Sequence, residues 1–234
     1  MYMRGWKRLR QFTNMNFLRG KFIVFDGGEG CGKSTQARLL RDQLETAGEP
    51  VTLVHDPGTT RVGKLIREIL LDPQNVDIAM RCEMLLYMAA RAQMMSELIK
   101  PALERGKIVL CDRFVSSTLS YQLGGDGLTA DEIRAVGEAA IKGRWPDLTL
   151  IFDMPVEASF KRLKPKFVLP FPAQFQPMEI QDRIEQRPTA YHQQVRANYL
   201  AQAKKNPERY RVINAERGID AVHADVRAAL ESLR

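Results

Sequence analysis

The chain has 234 residues, of which 44% are hydrophobic and 27% are charged, as in ordinary soluble globular proteins. No apolar run approaches the roughly 20 residues that a membrane-spanning helix needs, so we expect a soluble protein without a membrane partner. Most of the net charge of +7 lies at the start of the chain, so the basic balance is weak evidence for a nucleic-acid-binding surface on the folded part, and we expect none.

The first 21 residues carry six basic side chains and no acidic one. They are Arg4, Lys7, Arg8, Arg10, Arg19 and Lys21. An arginine-rich start without acids is typical of a transit peptide. It also fits a disordered extension or a start codon placed too early, because Met15 could equally be the initiating methionine. We favour the extension and interpret residues 1–20 as a disordered basic tail and residues 21–234 as a single domain. Three distant cysteines, Cys31, Cys82 and Cys111, have no metal-ligand spacing and indicate a reducing, cytoplasmic compartment.

Apolar strand patterns alternate with helical patterns along the domain. Strands are predicted near residues 21–27, 50–56, 107–113, 147–154 and 209–215. Helices are predicted over residues 34–48, 61–72, 77–106 (one helix, or two that meet near Pro101), 129–143, 156–163, 187–205 and 218–233. Thr129 and Glu132 form a capping-box pattern. The alternation predicts an α/β fold with three layers, a five-stranded parallel sheet and helices on both faces.

The segment GGEGCGKST follows the first strand and opens the first helix. Gly27, Gly32, Lys33 and Ser34 satisfy the phosphate-loop pattern G-x-x-x-x-G-K-[ST] of P-loop NTPases. Backbone N–H groups of such a loop bind phosphates, its lysine reaches the β- and γ-phosphates, and its serine ligates Mg²⁺. The predicted nucleotide-binding residues are Gly27, Gly28, Glu29, Gly30, Cys31, Gly32, Lys33, Ser34 and Thr35.

Asp112 and Arg113 end the third strand, beside the predicted phosphate loop. A carboxylate at this point can hold Mg²⁺ together with Ser34. Arg113 is placed to bridge the oxygens of a phosphoryl group in transfer. The sequence therefore predicts ATP and Mg²⁺ as the cofactors of a phosphoryl-transfer site, with Ser34 and Asp112 as metal ligands.

Five further motifs occur in order: DPGTT, LLYMAARAQ, DRFVSSTLSYQ, PDLTLIFDMPVE and DRIEQR. With the phosphate loop, they make the chain resemble the thymidylate kinases of the nucleoside monophosphate kinase group, from about Lys21 to its C-terminus. The resemblance implies ATP-dependent phosphorylation of dTMP to dTDP, for dTTP biosynthesis, by in-line transfer with Mg²⁺. It also implies a cytoplasmic homodimer that binds nucleotides and no nucleic acid.

The resemblance assigns roles to residues of the acceptor site. Tyr87 stacks on the thymine base and Arg91 hydrogen-bonds it, Tyr121 and Gln122 contact the sugar and the base, and Ser117 lies near the base. Arg67 and Arg113 bind phosphates, and Glu29 contacts the 3′-hydroxyl.

Asp56 stands in the family's Glu-Pro-Gly-Gly-Thr segment, where this chain departs from the pattern. The departures are His55 for arginine, Asp56 for glutamate, Thr59 for the second glycine and, elsewhere, Tyr87 for phenylalanine.

Residues 164–187 correspond by position to the mobile lid of the family, with an unusual insertion. Pro165, Pro170, Pro172 and Pro177 forbid a continuous helix. Phe167, Phe171 and Phe175 could pack on the body as a flap or bind a partner, and we favour the flap. Arg183 is the predicted catalytic lid arginine, followed by Arg187, Arg162 and Lys164 as further candidates. Asp182 and Glu185 match acidic positions near the acceptor.

Three alternatives stay open. The protein could phosphorylate another nucleoside monophosphate or a nucleoside, or it could be a P-loop switch that binds nucleotide without catalysis. The absence of an Asn-Lys-x-Asp motif argues against a GTPase switch. The methionine-rich helix around Met80–Met95 could supply the dimer face, although such stripes usually belong to the core.

Overall fold

A computed structural model describes residues 15–163 and 182–234, together with the backbone of residues 167–168 and 178–179. Several predictions fall outside these residues: the structure of tail residues 1–14, the four prolines of the lid, the flap formed by its phenylalanines, and the position of Lys164. In the described part of the chain, no helix combines the length and hydropathy of a membrane span.

The five predicted strands form one parallel sheet in the order β2-β3-β1-β4-β7. In chain order the strands are β1 (Phe22–Gly27), β2 (Val51–His55), β3 (Ile108–Asp112), β4 (Leu148–Asp153), β5 (Phe167–Val168), β6 (Met178–Glu179) and β7 (Tyr210–Asn214). β5 and β6 form a separate antiparallel pair within the predicted lid. The parallel order brings the carboxyl ends of β1, β3 and β4 side by side, where ligands bind in such folds.

The described residues form nine α-helices, and eight of them fall within the predicted helical segments. They are α1 (Lys33–Thr46), α2 (Arg61–Leu71), α3 (Met80–Met94), α4 (Lys100–Glu104), α5 (Val115–Tyr121), α6 (Ala130–Ile141), α7 (Val156–Arg162), α8 (Thr189–Lys205) and α9 (Ile219–Leu230). α3 and α4 are joined by a π-helical turn, Met95–Ile99, immediately before the helix-breaking Pro101. The sequence patterns did not predict α5.

Alternate side chains of β1 enter two hydrophobic cores, one on each face of the sheet. Ile23 and Phe25 pack on the side of α1 and α9, whereas Phe22 and Val24 pack on the side of α3 and α6. The second core contains four methionines of α3 and the π-turn, namely Met84, Met88, Met94 and Met95, each at most 5% exposed. These methionine side chains belong to the core of one chain, so a dimer face on this helix would use other side chains, and the prediction that the helix supplies that face stays untested.

The predicted capping box at the start of α6 is confirmed. The Thr129 hydroxyl accepts from the Glu132 backbone N–H, and the Glu132 carboxylate accepts from the Thr129 backbone N–H. We expect Thr129→Ala to lower the free energy of unfolding by about 1 kcal/mol, because one N–H of the first turn loses its partner. Urea unfolding measures this loss. Thr129→Ser keeps the hydroxyl, and an equal loss in that control would contradict the capping explanation.

Candidate active site

The loop between β1 and α1 has the conformation that phosphate binding requires. Gly32 caps α1 with a φ of 85°, and Lys33 begins the helix. A Cβ atom on Gly27 would lie 2.5 Å from the carbonyl oxygen of Phe152, and one on Gly30 would lie 2.3 Å from that of Ser159. Both glycines also have positive φ values, so these positions accept no side chain. The Nζ atom of Lys33 donates to the Gly28 carbonyl oxygen at 2.5 Å.

Ser34 and Asp112 lie together next to this loop, as predicted for the metal ligands. The Ser34 hydroxyl donates to the Asp112 carboxylate, because β3 is the neighbour of β1 in the sheet. Among the described residues, no cluster of three or more His, Cys, Asp or Glu side chains could hold a metal ion by itself. One carboxylate and one hydroxyl fit Mg²⁺, which usually takes few protein ligands and completes its shell with phosphates and water.

Two adjoining cavities open at the carboxyl end of the sheet. The first, the loop cavity, is lined by the phosphate loop together with His55, Asp112 and Glu185. The second, the tyrosine cavity, contains Tyr87 and Tyr121 in its wall. It brings together every predicted substrate-binding residue except Glu185: Glu29, Asp56, Arg67, Tyr87, Arg91, Arg113, Ser117, Tyr121, Gln122 and Asp182. Four residues line both cavities and so mark their junction: Glu29, Asp56, Arg67 and Arg113.

Arg113 crosses this junction from the turn after β3. Its backbone has a φ of 70°, which is uncommon for a residue with a side chain. Its guanidinium donates to the Glu29 carboxylate at 2.6 Å and to the Gly27 carbonyl oxygen at 3.0 Å. The Tyr121 hydroxyl donates to the same Glu29 oxygen at 3.1 Å, and Arg113 lies 5.2 Å from the centre of the Tyr121 ring. The phosphate loop, β3 and α5 thus share one charged cluster.

Glu29 is ionised in this cluster down to low pH. Burial alone would raise its pKa, but the positive charges of Arg113 and Lys33 outweigh burial and lower the pKa to about 2. Because the pKa is lower than the ordinary value of 4.5, this ionisation stabilises the fold fully above that value. The stabilisation is lost as the pH falls towards about 2.

We therefore expect Glu29→Gln to lose less stability on acidification than the wild type. The glutamine cannot be protonated in this range, so its contribution to the free energy of unfolding stays constant between about pH 5 and pH 2.5. Urea unfolding at both pH values measures the difference between the two proteins. Equal acid sensitivity of the two would show that Glu29 has no lowered pKa.

Asp26 is a buried residue at this site that the sequence analysis did not select. Its carboxylate accepts from Ser117 at 2.7 Å, from Ser116 at 2.5 Å, from Tyr199 at 2.6 Å and from the Gly27 backbone N–H at 3.0 Å. These bonds join α5 and α8 to the phosphate loop. The Ser117 hydroxyl, predicted to lie near the base, lines the tyrosine cavity but is bonded to Asp26.

Arg91 is completely buried and paired with Asp56. Its Nε atom lies 2.8 Å from an Asp56 oxygen, and Nη2 also donates to the Phe114 carbonyl oxygen at 3.0 Å. Burial raises the pKa of Asp56, while Arg91 opposes that rise. The other Asp56 oxygen, Oδ1, is buried without a hydrogen-bond partner in the described part of the chain. Asp56 therefore orients Arg91 at the cavity wall.

Two of the departures from the family pattern close the turn after β2. The Thr59 hydroxyl accepts from the His55 backbone N–H at 2.7 Å and donates to the His55 carbonyl oxygen at 2.9 Å. Gly58 has a φ of 130°, and a Cβ atom there would lie 2.8 Å from the His55 ring. Arg67 donates to the Pro57 carbonyl oxygen at 3.0 Å. The turn thus stays compact with threonine in place of glycine.

The structure does not bring Arg183 to the phosphate loop. Its side chain is 6% exposed, donates to the Leu70 carbonyl oxygen at 2.9 Å and pairs with Glu83, and it lines neither cavity. Arg187 also binds Glu83, and Arg162 donates to backbone carbonyls after β7. In this structure the Arg183 guanidinium is bound to Glu83 and to the Leu70 carbonyl oxygen. Its catalytic role stays an untested prediction.

Asp182 and Glu185 begin the turn that contains Arg183. The Asp182 carboxylate accepts from the backbone N–H groups of Ile184 and Glu185, and the Glu185 carboxylate accepts from that of Asp182. Asp182 lines the tyrosine cavity and Glu185 the loop cavity. Asp182 therefore lies at the tyrosine cavity and Glu185 at the loop cavity, and the hydrogen bonds between them shape the turn.

Comparisons with known proteins agree with this geometry. The sequence model of a family described as Thymidylate kinase matches residues 25–226. The chain is 43% identical over 216 residues to the Thymidylate kinase of Pelotomaculum thermopropionicum, and the match covers 92% of this chain and 95% of that protein. The corresponding protein of Roseiflexus sp. is 42% identical over 210 residues, with coverages of 90% and 93%. The chain belongs to the thymidylate kinase family.

A solved thymidylate kinase also shares the fold. The crystal structure of the enzyme from Ehrlichia chaffeensis superposes with a TM-score of 0.68 at 29% identity and covers 90% of this chain and 98% of that one. Membership makes the protein a phosphotransferase that phosphorylates dTMP, with ATP as the family's donor. The family resemblance, the fold class and the enzyme class inferred from the sequence are therefore confirmed.

Proposed function

We propose that this thymidylate kinase binds the ATP phosphates in the loop cavity and dTMP in the tyrosine cavity, and that transfer occurs where the cavities meet. One observation carries the proposal: two cationic side chains, Arg67 and Arg113, line both cavities. Phosphoryl transfer depends mainly on placing two phosphates in line and on neutralising their charge. Cations at a junction between two ligand cavities can hold both phosphates in place and neutralise their charge.

On the donor side, backbone N–H groups of residues 27–35 bind the phosphates, and Lys33 adds a positive charge at the start of α1. Ser34 and Asp112 would hold Mg²⁺, which would neutralise part of the charge of the donor phosphates. Lys33 exchanges its bond with the Gly28 carbonyl oxygen for phosphate oxygens. No general base is needed, because the attacking oxygen of the acceptor phosphate is already anionic.

On the acceptor side, Arg67 and Arg113 bind the 5′-phosphate of dTMP. Glu29, held ionised by Arg113, accepts a hydrogen bond from the 3′-hydroxyl. The Tyr121 ring lies against the sugar and disfavours a 2′-hydroxyl, which selects deoxyribose. Tyr87 stacks on the thymine ring, while Arg91 and Gln122 bind its polar edge.

Two further properties follow from the family and are proposed here. α2 and α3 pack against each other and expose Leu65, Ile69 and Leu85, each about half accessible. We propose that this surface forms the homodimer interface, which sedimentation of Leu65→Lys would test. We also propose a cytoplasmic location, because Cys31, Cys82 and Cys111 are all free and the nucleotide substrates are found there.

A coupled assay of ADP release across several acceptors tests the proposed function. The acceptors are dTMP, dUMP, UMP, dCMP and thymidine, each tested at equal concentration. Fast turnover with dTMP supports the proposal. Turnover restricted to UMP, dCMP or thymidine would indicate a kinase of another substrate, and slow hydrolysis independent of acceptor would indicate a nucleotide-binding switch.

A further inference from the structure

Glu83 is a fully buried carboxylate on α3, one helical turn before Tyr87. Its Oε1 atom accepts from the side-chain amide of Gln122 at 2.7 Å. Its Oε2 atom accepts from Arg187 at 2.7 Å and from Arg183. All three partners lie outside α3, so this carboxylate joins α3 to the end of α5 and to the segment after the lid.

The bond to Glu83 determines which way the Gln122 amide faces. An ionised carboxylate only accepts hydrogen bonds, whereas an amide has one donating and one accepting end. The reversed amide would place its carbonyl oxygen against the carboxylate and leave both without a donor, which is costly in a buried position. The NH₂ group of Gln122 therefore faces Glu83, and its carbonyl oxygen faces away.

The opposite end of this amide is available to a ligand. Gln122 is 1% exposed and lines the tyrosine cavity. Among the described residues, the side-chain hydrogen bond of Gln122 is the one that its NH₂ group donates to Glu83, and no described group donates to its Oε1 atom. A ligand that enters the cavity thus meets a fixed hydrogen-bond acceptor at this point.

We infer that Glu83 is a positioning residue that determines base specificity, because it holds Gln122 with its carbonyl oxygen towards N3 of the acceptor base. This inference rests on the proposed binding of dTMP in the tyrosine cavity. Thymine and uracil carry an N–H at N3 and can donate to that oxygen. Cytosine has a lone pair at N3, so two acceptors would face each other and no hydrogen bond would form between them.

The two arginines explain how the carboxylate keeps this orientation. A buried carboxylate is tolerated only when it is paired, and Arg183 and Arg187 both bind Oε2, which leaves Oε1 to Gln122. Arg183 is itself fixed by the Leu70 carbonyl oxygen at 2.9 Å. Because two arginines share Oε2, the carboxylate stays paired with Arg187 when Arg183 is removed.

The test compares dTMP and dCMP as acceptors for the wild type and for Glu83→Gln. A glutamine at position 83 can donate as well as accept, so Gln122 is free to reverse. We expect the ratio of kcat/KM for dTMP to that for dCMP to fall by about tenfold or more. Both rates come from one preparation, so a reduced folded fraction cancels in the ratio. An unchanged ratio would overturn the inference.

Arg183→Gln is the matched control. It removes one arginine from the same carboxylate but keeps the bond between Glu83 and Gln122, so we expect lower stability with an unchanged ratio. An equal fall in this control would assign the effect to general loosening and overturn the inference. A wild type that fails to phosphorylate dTMP would instead refute the proposed function.

If Glu83→Gln does not fold, the wild-type complex with dTMP gives a second test by NMR. The inference predicts nuclear Overhauser effects between the Gln122 side-chain NH₂ and the Glu83 methylene protons. Effects between that NH₂ group and the thymine base, without those to Glu83, would show the reversed amide and contradict the inference.

Discussion

Lys33→Met is expected to lower kcat for dTMP phosphorylation by about 10²–10³-fold, the loss typical when one preorganised cationic or hydrogen-bonding group is removed from a transition state. Lys33 is 6% exposed at the start of α1, and its ammonium group lies within the loop. Methionine fills a similar volume without the charge. Single-turnover measurement of dTDP formation checks this expectation independently of product release.

Arg41→Met is the matched control for this change. It removes one positive charge from the same helix, but Arg41 pairs with Asp42 and lines neither cavity. We expect its kcat to stay within about twofold of the wild type, since exposed ion pairs contribute little. A comparable loss in both variants would mean that the total charge of the protein, and not the position of Lys33, controls the rate.

Arg113→Gln is expected to reduce kcat/KM for dTMP by about 10³-fold, the lower end of the range for arginines that stabilise phosphoryl transfer. Arg113 lines both cavities and binds Glu29 at 2.6 Å. Its removal takes one positive charge from the junction and leaves the Glu29 carboxylate poorly compensated. Arg113→Lys should recover only part of the activity, because an ammonium group cannot bind two partners in the fixed geometry of a guanidinium.

A double variant separates the catalytic and structural parts of this effect. Arg113→Gln alone should lower the melting temperature, because a partly buried carboxylate loses its partner. Adding Glu29→Gln should restore part of the melting temperature without restoring the rate. Restored turnover in the double variant would show that Arg113 only supports the fold.

Much of the fold could be predicted because local patterns and tertiary packing agree. The central strands β1, β3 and β4 are almost wholly apolar and buried, and the predicted strands alternate with helical patterns, which leaves few alternatives to a covered parallel sheet. The sequence did not predict α5, because its local pattern does not agree with its tertiary packing. Its sequence VSSTLSY has no apolar periodicity and poor helix formers. It is held by burial and by the bonds of Ser116 and Ser117 to Asp26, which the linear sequence does not reveal.

In the candidate site, the residues that face the ligands could be predicted from the sequence. The residues that hold them in position could be predicted less well. Motifs at strand ends gave Lys33, Ser34, Asp112 and Arg113, and the family pattern gave most of the tyrosine cavity. Asp26 and Glu83 were missed because their roles arise from partners more than 35 positions away along the chain. A signal was nevertheless present for Glu83: a buried acid one turn before Tyr87, on the helix face that also carries Arg91, needs a polar partner.

Two predictions concern side chains whose contacts the order of motifs along the chain does not reveal. Arg183 follows the lid in sequence, and the shortage of arginine in the phosphate loop made it a natural candidate for charge neutralisation. In the structure, the Arg183 guanidinium is bound to the buried Glu83 carboxylate. The buried methionines of α3 pack under α6, while Leu85 of the same helix is exposed, so a dimer face on this helix would use side chains other than those methionines. A pattern of apolar residues specifies a buried face without specifying what covers it.

The central claim is direct phosphoryl transfer from ATP to dTMP across the junction of the two cavities. Incubation with γ-³²P-labelled ATP and dTMP, followed by separation of the products, tests it most directly. The account predicts that one labelled phosphate appears in dTDP for each ATP consumed, with little free phosphate. Label released as inorganic phosphate, with dTMP unchanged, would contradict it.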